Sequence, residues 1–202
     1  PPAQLVCTLA NGTDSVLTWI NTEPSTGILI YRDGTQIAEV APDAGGYTDA
    51  GVAPATYTYC VVNVFAHAPG SKTSAPTCCD LIVPAPPTNL TCLSVSGDVQ
   101  LAWTNNDPYE TLTLRRDGNV IAELDGTSTS YNDPLVTPGN HTYSIAGTIL
   151  GNTSTYDSCT EDVPAAITDL SLSSLADTVT LNWNHSGPGD EVVIARDGTV
   201  IA

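Results

Sequence analysis

The residues of this chain with the most specific chemistry are its six cysteines: Cys7, Cys60, Cys78, Cys79, Cys92 and Cys159. Disulfide bonds and a zinc site are the two alternatives for them. No Cys-x-x-Cys or cysteine–histidine spacing supports zinc, and adjacent cysteines are poor ligands for one ion. We therefore predict disulfides and no resident metal. Disulfides in turn indicate an oxidising compartment.

Histidine is the next candidate for chemistry, and the chain has His67, His141 and His185. His185 is followed by Ser186 and Gly187, yet no nucleophile elbow or repeated aspartate partner surrounds it. We interpret all three histidines as loop and surface residues. The sequence therefore predicts no catalytic residue, no enzyme activity and no cofactor.

Acidic side chains follow each tryptophan in the predicted loops, and calcium prefers such oxygen-rich loops. The weak calcium candidates are Asp107, Glu110, Asp190 and Glu191. No loop contains a calcium-binding motif, so solvated turn carboxylates are the favoured interpretation.

The string Arg-Asp-Gly occurs three times, each time at the same distance after a tryptophan. The tryptophans are Trp19, Trp103 and Trp183. A period of about 80 residues is too long for a solenoid and suits a small autonomous domain. We therefore predict repeat 1 at residues 1–83, repeat 2 at residues 84–163, and strands 1 to 4 of an incomplete repeat 3 at residues 164–202.

Each repeat has the pattern of short antiparallel strands. Apolar and polar residues alternate up to the tryptophan, as in residues 15–19, which indicates a strand with one buried face. Asp-Gly then lies between two apolar runs, which is a strong hairpin signal. About seven such strands per repeat, with no amphipathic helical stretch, predict an all-β antiparallel sandwich.

The same alternation points the tryptophans inward. The predicted core aromatic residues are Trp19, Trp103, Trp183, Tyr57, Tyr59 and Tyr143. A row of tryptophans for sugar binding is the alternative, and core packing is favoured over it. Turn chemistry also explains Arg-Asp-Gly, which differs from the integrin tripeptide Arg-Gly-Asp, so we assign it no adhesive role.

The tryptophan in the second strand, the Tyr57-x-Tyr59 pair after a proline turn, and the repeat length resemble fibronectin type III domains. More narrowly, the units resemble the type III-like repeats of large secreted bacterial proteins. The resemblance covers both complete repeats and the first half of the third. It implies an immunoglobulin-like sandwich, which hosts many functions. His141 stands where repeat 1 has Tyr57, so repeat 2 is expected to lack a tyrosine-corner hydrogen bond in its usual form.

Alignment of the repeats predicts how the cysteines pair. The first-strand and last-strand cysteines of repeat 1 both have counterparts in repeat 2. The other two, Cys60 and Cys78, are replaced together by Ser144 and Ser158, and positions that change together are expected to be bonded. The predicted bonds are Cys7–Cys79, Cys60–Cys78 and Cys92–Cys159. Neighbours on a strand point to opposite faces, which also requires different partners for the adjacent cysteines.

The formal net charge is −17, from 5 Lys and Arg against 22 Asp and Glu. Phosphate binding needs clustered Lys and Arg, so nucleic acid and anionic membrane surfaces are disfavoured as partners. No apolar run is long enough to span a bilayer, so no membrane insertion is predicted. The Asn-x-Ser/Thr sequons, which are potential glycosylation sites, are at Asn11, Asn89, Asn140, Asn152 and Asn184.

Two features concern the ends of the chain. There is no signal peptide and no methionine, which we interpret as a processed or excised segment. Repeat 3 stops after its Asp197-Gly198 turn, and half a sandwich leaves open strand edges. We expect the polypeptide to continue past Ala202, or another chain to supply the remaining strands, and we favour continuation.

These features predict a structural and interaction segment of a long extracellular or cell-surface protein: a stalk, a fibre or an adhesin spacer. Short proline-containing linkers at residues 83–87 and 163–166 would hold neighbouring repeats end to end. The expected partners are neighbouring repeats and like subunits in a fibre. Arg32, Arg116 and the acidic loops are expected to meet at the junctions. The alternative is an accessory binding or spacer module of a secreted polysaccharide-degrading enzyme.

Overall fold

The computed structural model describes residues 1–185 and 192–202. All of the regular elements in these residues are β-strands, and every paired strand is antiparallel, so the predicted all-β antiparallel class is confirmed. We call residues 1–83 unit 1, residues 84–163 unit 2 and residues 164–202 unit 3.

The two complete units contain equivalent strands in the same order along the chain. Unit 1 contains β1 (Ala3–Ala10), β2 (Asp14–Ile20), β3 (Gly27–Arg32), β4 (Thr35–Val40), β5 (Gly46–Asp49), β6 (Ala55–Ala66), β7 (Ser71–Thr73) and β8 (Thr77–Val83). Unit 2 contains β9 (Thr88–Val95), β10 (Asp98–Thr104), β11 (Thr111–Arg116), β12 (Asn119–Asp125), β13 (Ser130–Asp133), β14 (Gly139–Ile149), β15 (Asn152–Thr153) and β16 (Asp157–Val163). The described part of unit 3 contains β17 (Thr168–Leu175), β18 (Thr178–Asn184), β19 (Ala195–Arg196) and β20 (Thr199–Val200).

Units 1 and 2 are each built from two sheets. In unit 1 one sheet has the order β1-β2-β5, and the other has the order β4-β3-β6, with β7 and β8 pairing along the free edge of β6. Unit 2 repeats this order with β9-β10-β13 and with β12-β11-β14, to which β15 and β16 are added. The inner faces of the two sheets form one hydrophobic core in each unit.

A serine divides the last strand of each complete unit into a short and a long piece, β7 and β8 in unit 1 and β15 and β16 in unit 2. In unit 1 Ser74 lies in the gap, where its Oγ accepts the Asn63 N–H at 3.1 Å and its own N–H donates to the Asn63 carbonyl. Ser154 makes the same pair of bonds with Gly147 in unit 2. A side-chain hydroxyl here replaces one backbone acceptor of the ladder, so the backbone leaves the strand without leaving a donor unpaired.

The predicted core aromatic residues lie at different depths. Trp19 and Trp103 are each 5% exposed, and Tyr59 and Tyr143 are fully buried. Tyr57 is half-buried at the rim of the core, where its hydroxyl donates to the Ala53 carbonyl at 2.9 Å. This contact is a tyrosine corner, because it ties the start of β6 to the connection that precedes it.

Cysteine sulfurs are joined in the structure as Cys7–Cys79, Cys60–Cys78 and Cys92–Cys159, which are the pairs that the sequence predicts. The first and last of these bonds connect the two sheets of a unit, from β1 to β8 and from β9 to β16. Cys60 and Cys78 instead face each other directly across β6 and β8 on the outer side of one sheet. In the chain-entropy model, a bond that closes a long loop contributes about 4 kcal/mol, a large share for a domain of this size.

A partly buried ion pair also joins the two sheets in each complete unit, and it corrects one prediction. Arg32 Nη1 lies 2.6 Å from Asp49 Oδ2, and the Tyr59 hydroxyl donates to the same carboxylate oxygen at 2.9 Å. Arg116 and Asp133 form the equivalent pair at 2.6 Å. Both arginines therefore pair inside their own units and not with acidic loops at the junctions. The Asp of Tyr-x-Asp in β5 and β13 supplies the partner that the sequence interpretation overlooked.

The Arg-Asp-Gly turns have the backbone expected from their sequence. Asp33 and Gly34 have φ values of 51° and 79°, so both occupy the left-handed region of a tight hairpin turn. The carboxylate of Asp33 also accepts the Thr58 N–H at 2.9 Å, which fixes the turn against β6. Glycine and aspartate are thus selected by turn geometry, as predicted.

Unit 3 repeats the first hairpin of the other units. Its strands β17 and β18 pair with a bulge near Asp169, whose φ is 55°, just as β9 has a bulge near Asn89, whose φ is 59°. Among the described residues, β19 and β20 pair only with each other. Trp183 is only half-buried, and Leu172, which aligns with Cys7 and Cys92, is 67% exposed. The inner face of this hairpin is therefore less covered than in units 1 and 2.

Candidate functional site: the joint between units 1 and 2

The linker between units 1 and 2 is held at its central residue. The Ala85 N–H donates to Asp107 Oδ2 at 2.7 Å, and the Tyr109 hydroxyl donates to the Ala85 carbonyl at 2.8 Å. We call Asp107 and Tyr109 the linker clamp. Both belong to the loop that follows Trp103, so unit 2 binds the main chain that leads into it. The neighbouring Pro84 and Pro87 are buried, which adds apolar contact to these two bonds.

Two glycines make space for the tyrosine of the clamp. Tyr109 is 6% exposed, and a Cβ atom at Gly147 in β14 would overlap its ring. A Cβ at Gly126 would overlap the Tyr109 backbone carbonyl. Burial raises the pKa of the Tyr109 hydroxyl, so the group remains a hydrogen-bond donor at neutral pH. The slot and the side chain that fills it together place this hydroxyl against the linker.

Asparagines hold the clamp loop in position. Asn106 Nδ2 donates to the Pro86 carbonyl at 2.7 Å and to Thr88 Oγ1 at 3.1 Å, which extends the contact along the linker. Asn105 accepts the indole N–H of Trp103 at 3.1 Å and donates to the Gly126 carbonyl at 3.1 Å. The buried tryptophan therefore fixes the base of the loop, and the loop fixes the linker.

A second contact lies beside the linker. The turn between β1 and β2 reaches the segment between β15 and β16, where a Cβ at Gly12 would lie 2.6 Å from the Thr155 nitrogen. Such closeness requires glycine, and Gly12 has a φ of 74° that also favours it. On another side, Pro54 and Ile82 of unit 1 line an apolar cleft with Pro108 and Ile149 of unit 2. The two units thus meet through the linker clamp and at both of these sites.

The predicted calcium candidates of unit 2 are engaged in hydrogen bonds. Asp107 binds the linker, and Glu110 Oε2 accepts the Leu150 N–H at 3.2 Å. Asp190 and Glu191 lie outside the described residues. Within residues 1–185 and 192–202, no three His, Cys, Asp or Glu side chains are grouped so that they could hold a metal ion.

The predicted glycosylation sites lie in different environments. Asn89, Asn140 and Asn184 are exposed on or at the ends of strands. Asn11 is exposed in the β1–β2 turn, with its Nδ2 donating to Asp14 at 3.0 Å. Asn152 is half-buried in β15, next to a second cleft between the units that Gly12 and Thr155 line. The described chain contains no helix that could cross a membrane.

Comparison with known proteins finds similar solved structures, whereas no protein-family model and no curated protein matches the sequence. A segment of two fibronectin type III domains from chicken tenascin is 16% identical, with a TM-score of 0.42, and the match covers 80% of this chain and 99% of that one. The fibronectin(III)-like modules of CbhA from Clostridium thermocellum are 17% identical, with a TM-score of 0.40, and the match covers 79% of this chain and 94% of that one.

These solved structures are similar to the chain in fold alone. The assignment of the units comes from their own strand order, in which a three-stranded sheet packs on a sheet of β4-β3-β6-β8 type, and from the buried second-strand tryptophan. The chain is a tandem array of fibronectin type III-like repeats, as the sequence predicts.

Proposed function

We propose that this chain is a spacer segment of a long extracellular or cell-surface protein, in which unit 1 and unit 2 are held at one angle. The observation that carries the proposal is the capture of both main-chain groups of Ala85 by Asp107 and Tyr109. A linker that served only as a flexible tether would have no need of buried partners for its backbone. The fixed angle makes the pair of units a rigid rod segment.

The energetics favour a rigid joint. The clamp fixes Ala85 to unit 2, and Val83 is paired with Ala55 in the β6–β8 ladder of unit 1. A turn of unit 2 that keeps these bonds is therefore restricted to the backbone around Pro84, where the proline ring fixes φ. Tyr109 is 6% exposed, so its hydroxyl has little access to water as a replacement partner. A bend large enough to pull Ala85 away from unit 2 would break two hydrogen bonds with a buried member, which correspond to about 2–3 kcal/mol, before the contact at Gly12 is counted. Bends of that size would then be a small minority, of order one molecule in a hundred.

The compartment is part of the proposal. Two disulfides lie within unit 1 and one lies within unit 2, and bonds of this kind persist outside the reducing cytosol. The net charge of −17 keeps neighbouring copies apart except where specific contacts form, which suits an extended surface structure. Electron microscopy of the native particle tests the stalk or fibre role, because a rod and a globular secreted enzyme have different outlines.

Residual dipolar couplings of the whole chain test the fixed angle. Units 1 and 2 should share one alignment tensor in the wild type. Asp107→Ala combined with Tyr109→Phe should give the two units separate tensors, because both bonds to Ala85 are lost. Tyr131→Phe removes a hydroxyl from the same unit away from the joint and is the matched control. Separate tensors in the wild type would refute the rigid joint, and one shared tensor in the double variant would refute the role of the clamp.

Replacement of Pro84, Pro86 and Pro87 by glycine tests the linker itself. Glycine frees φ at each position, so the distribution of interdomain angles in solution scattering should widen. Because the clamp binds Ala85 through its backbone, the widening should be larger when the proline and clamp changes are combined. An unchanged distribution in the combined variant would show that other contacts set the angle.

A further inference from the structure

His141 occupies the corner position of unit 2 and contacts two hydrogen-bond acceptors. Its Nδ1 lies 2.7 Å from Asp117 Oδ2, and its Nε2 lies 2.8 Å from the Thr137 carbonyl oxygen. The side chain is 13% exposed. Neutral imidazole has one N–H, so one of its nitrogens would direct a lone pair at an acceptor. Imidazolium donates to both.

The charges around this ring also favour the protonated form. Asp117 lies in the β11–β12 turn, and Glu161 of β16 is directly opposite His141 in the strand register. The carboxylate of Glu161 accepts the Ser94 N–H of β9 at 2.8 Å. The neighbouring cation is Arg116 at the end of β11, and its guanidinium is paired with Asp133. The Asp117 carboxylate therefore contacts the histidine, whereas the Glu161 carboxylate is bound to β9 and the one neighbouring arginine is already paired.

Unit 1 has the same corner with a tyrosine in place of the histidine. There Tyr57 donates to the Ala53 carbonyl, and the positions aligned with Ser94 and Glu161 are the apolar Leu9 and Leu81. Asp33 binds the Thr58 N–H as Asp117 binds the Thr142 N–H, both at 2.9 Å. Three aligned positions thus change together from apolar or aromatic to polar, and the aspartate acquires a histidine partner.

We propose that the His141 side chain is a proton-dependent link within unit 2. As imidazolium it joins the connection before β14 to the β11–β12 turn, at the end of the unit that leads to unit 3. Without the ring proton, one of the two contacts is lost. The bond to Asp117, followed by that to Thr137, raises the pKa of His141 above 6.5, while burial and Arg116 oppose them. The contribution to stability is then complete below the ordinary pKa and disappears as the pH rises through the raised one.

Urea titrations of the whole chain, followed by resolved amide NMR signals of each unit, test this inference. From about pH 6 upward, the unfolding constant of unit 2 should increase relative to unit 1, by about tenfold for each unit by which the folded pKa is raised. His141→Tyr installs the residue of unit 1 and should remove the pH dependence while preserving the fold. A variant that retains the full pH dependence would overturn the proposal.

A second pair of variants separates the histidine from the turn. Asp117→Asn should lower the titration midpoint of the His141 ring signals, because the asparagine carries no charge. Asp33→Asn makes the same change in unit 1, where there is no histidine, and should leave the pH profile of unit 1 unaltered. Ring nitrogen shifts of a neutral tautomer at about pH 6 would also contradict the inference, because both acceptors would then face a singly protonated ring.

Discussion

On the outer face of β6 and β8 in unit 1, Cys60 is bonded to Cys78. At the equivalent positions on β14 and β16, unit 2 has Ser144 beside Ser158. Both units fold to the same strand order, so this bond is not needed for the frame. The features that they share are the disulfide between sheets, the buried tryptophan and the arginine–aspartate–tyrosine cluster. The comparison separates what the sandwich requires from what one unit adds to it.

The joint shows a second pair of positions that differ together. Unit 2 has Tyr109 against Gly147, and at the aligned positions unit 1 has Ser25 and the fully buried Asn63. A large side chain thus appears where a glycine makes room for it. In the cysteine pair and in the Tyr109–Gly147 pair alike, positions that change together between the repeats contact each other.

The largest expected difference between the units concerns their disulfides. Unit 2 has one bond in the described structure, and Cys92→Ala with Cys159→Ala should reduce its free energy of unfolding by about 4 kcal/mol. Unit 1 should keep its stability. Hydrogen exchange of the whole chain measures both units at once. A loss below about 1 kcal/mol would show that the reduced, unfolded chain is already constrained.

The partly buried arginine–aspartate pairs give the next effect. Asp133→Ala leaves the Tyr143 hydroxyl and Arg116 without their acceptor, and should destabilise unit 2 by about 2 kcal/mol, since the arginine is still partly solvated. Asp49→Ala should cost less, because the Asp49 side chain is 16% exposed and that of Asp133 is 8% exposed. Urea titrations resolved by unit would measure the order, and the reverse order would contradict the burial argument.

Gly147→Ala should act on the joint more than on the unit. The added methyl meets the Tyr109 ring, and displacing that ring should cost about 1–2 kcal/mol and release the Ala85 carbonyl. Asn63→Ala at the aligned position of unit 1 is the control, and should leave the interdomain orientation unchanged. Residual dipolar couplings report the orientation. An unmoved tensor in Gly147→Ala would mean that Tyr109 has room that the structure does not show.

The smallest effect should come from converting unit 1 to the serine pair of unit 2. Cys60→Ser with Cys78→Ser should cost about 1 kcal/mol, less than an isolated bond over a sequence separation of 18, because the Cys7–Cys79 bond already encloses this loop. Hydrogen exchange in β6 and β8 measures the change. Complete unfolding of unit 1 would show that its frame depends on the second bond after all.

Local pattern and repeat comparison were enough to predict the sandwich and the Asp-Gly turns. Both signals are short-range: alternation along one strand, and positive φ at two adjacent residues. The cysteine pairs could be inferred because two copies of one fold were available in a single chain. The same comparison offered Tyr109 with Gly147, but no chemical rule marks a tyrosine and a glycine as partners in the way that it marks two cysteines.

Other features could not be predicted because they depend on three-dimensional closeness between distant segments. Arg32 contacts Asp49 only after the two sheets have packed. In the sequence, Arg32 is therefore recognised only as part of the Arg-Asp-Gly turn and not as an ion-pair partner. Ser74 and Ser154 interrupt the last strands through hydroxyl contacts that strand periodicity does not reveal. Trp183 has the alternation of a core residue, and its burial depends on neighbouring strands and not on that pattern.

The clamp on Ala85 has a consequence for how arrays of this kind can change over time. Both of its bonds go to the main chain, so the side chain at that position is free to vary without altering the joint. The residues that hold the linker are therefore encoded in the downstream unit, unit 2. Gene duplication or recombination that moved unit 2 would carry a ready-made joint to any upstream neighbour with a suitable end. At the positions aligned with Asp107 and Tyr109, the sequence of unit 3 has Gly187 and Gly189, so neither side chain of this clamp is repeated there.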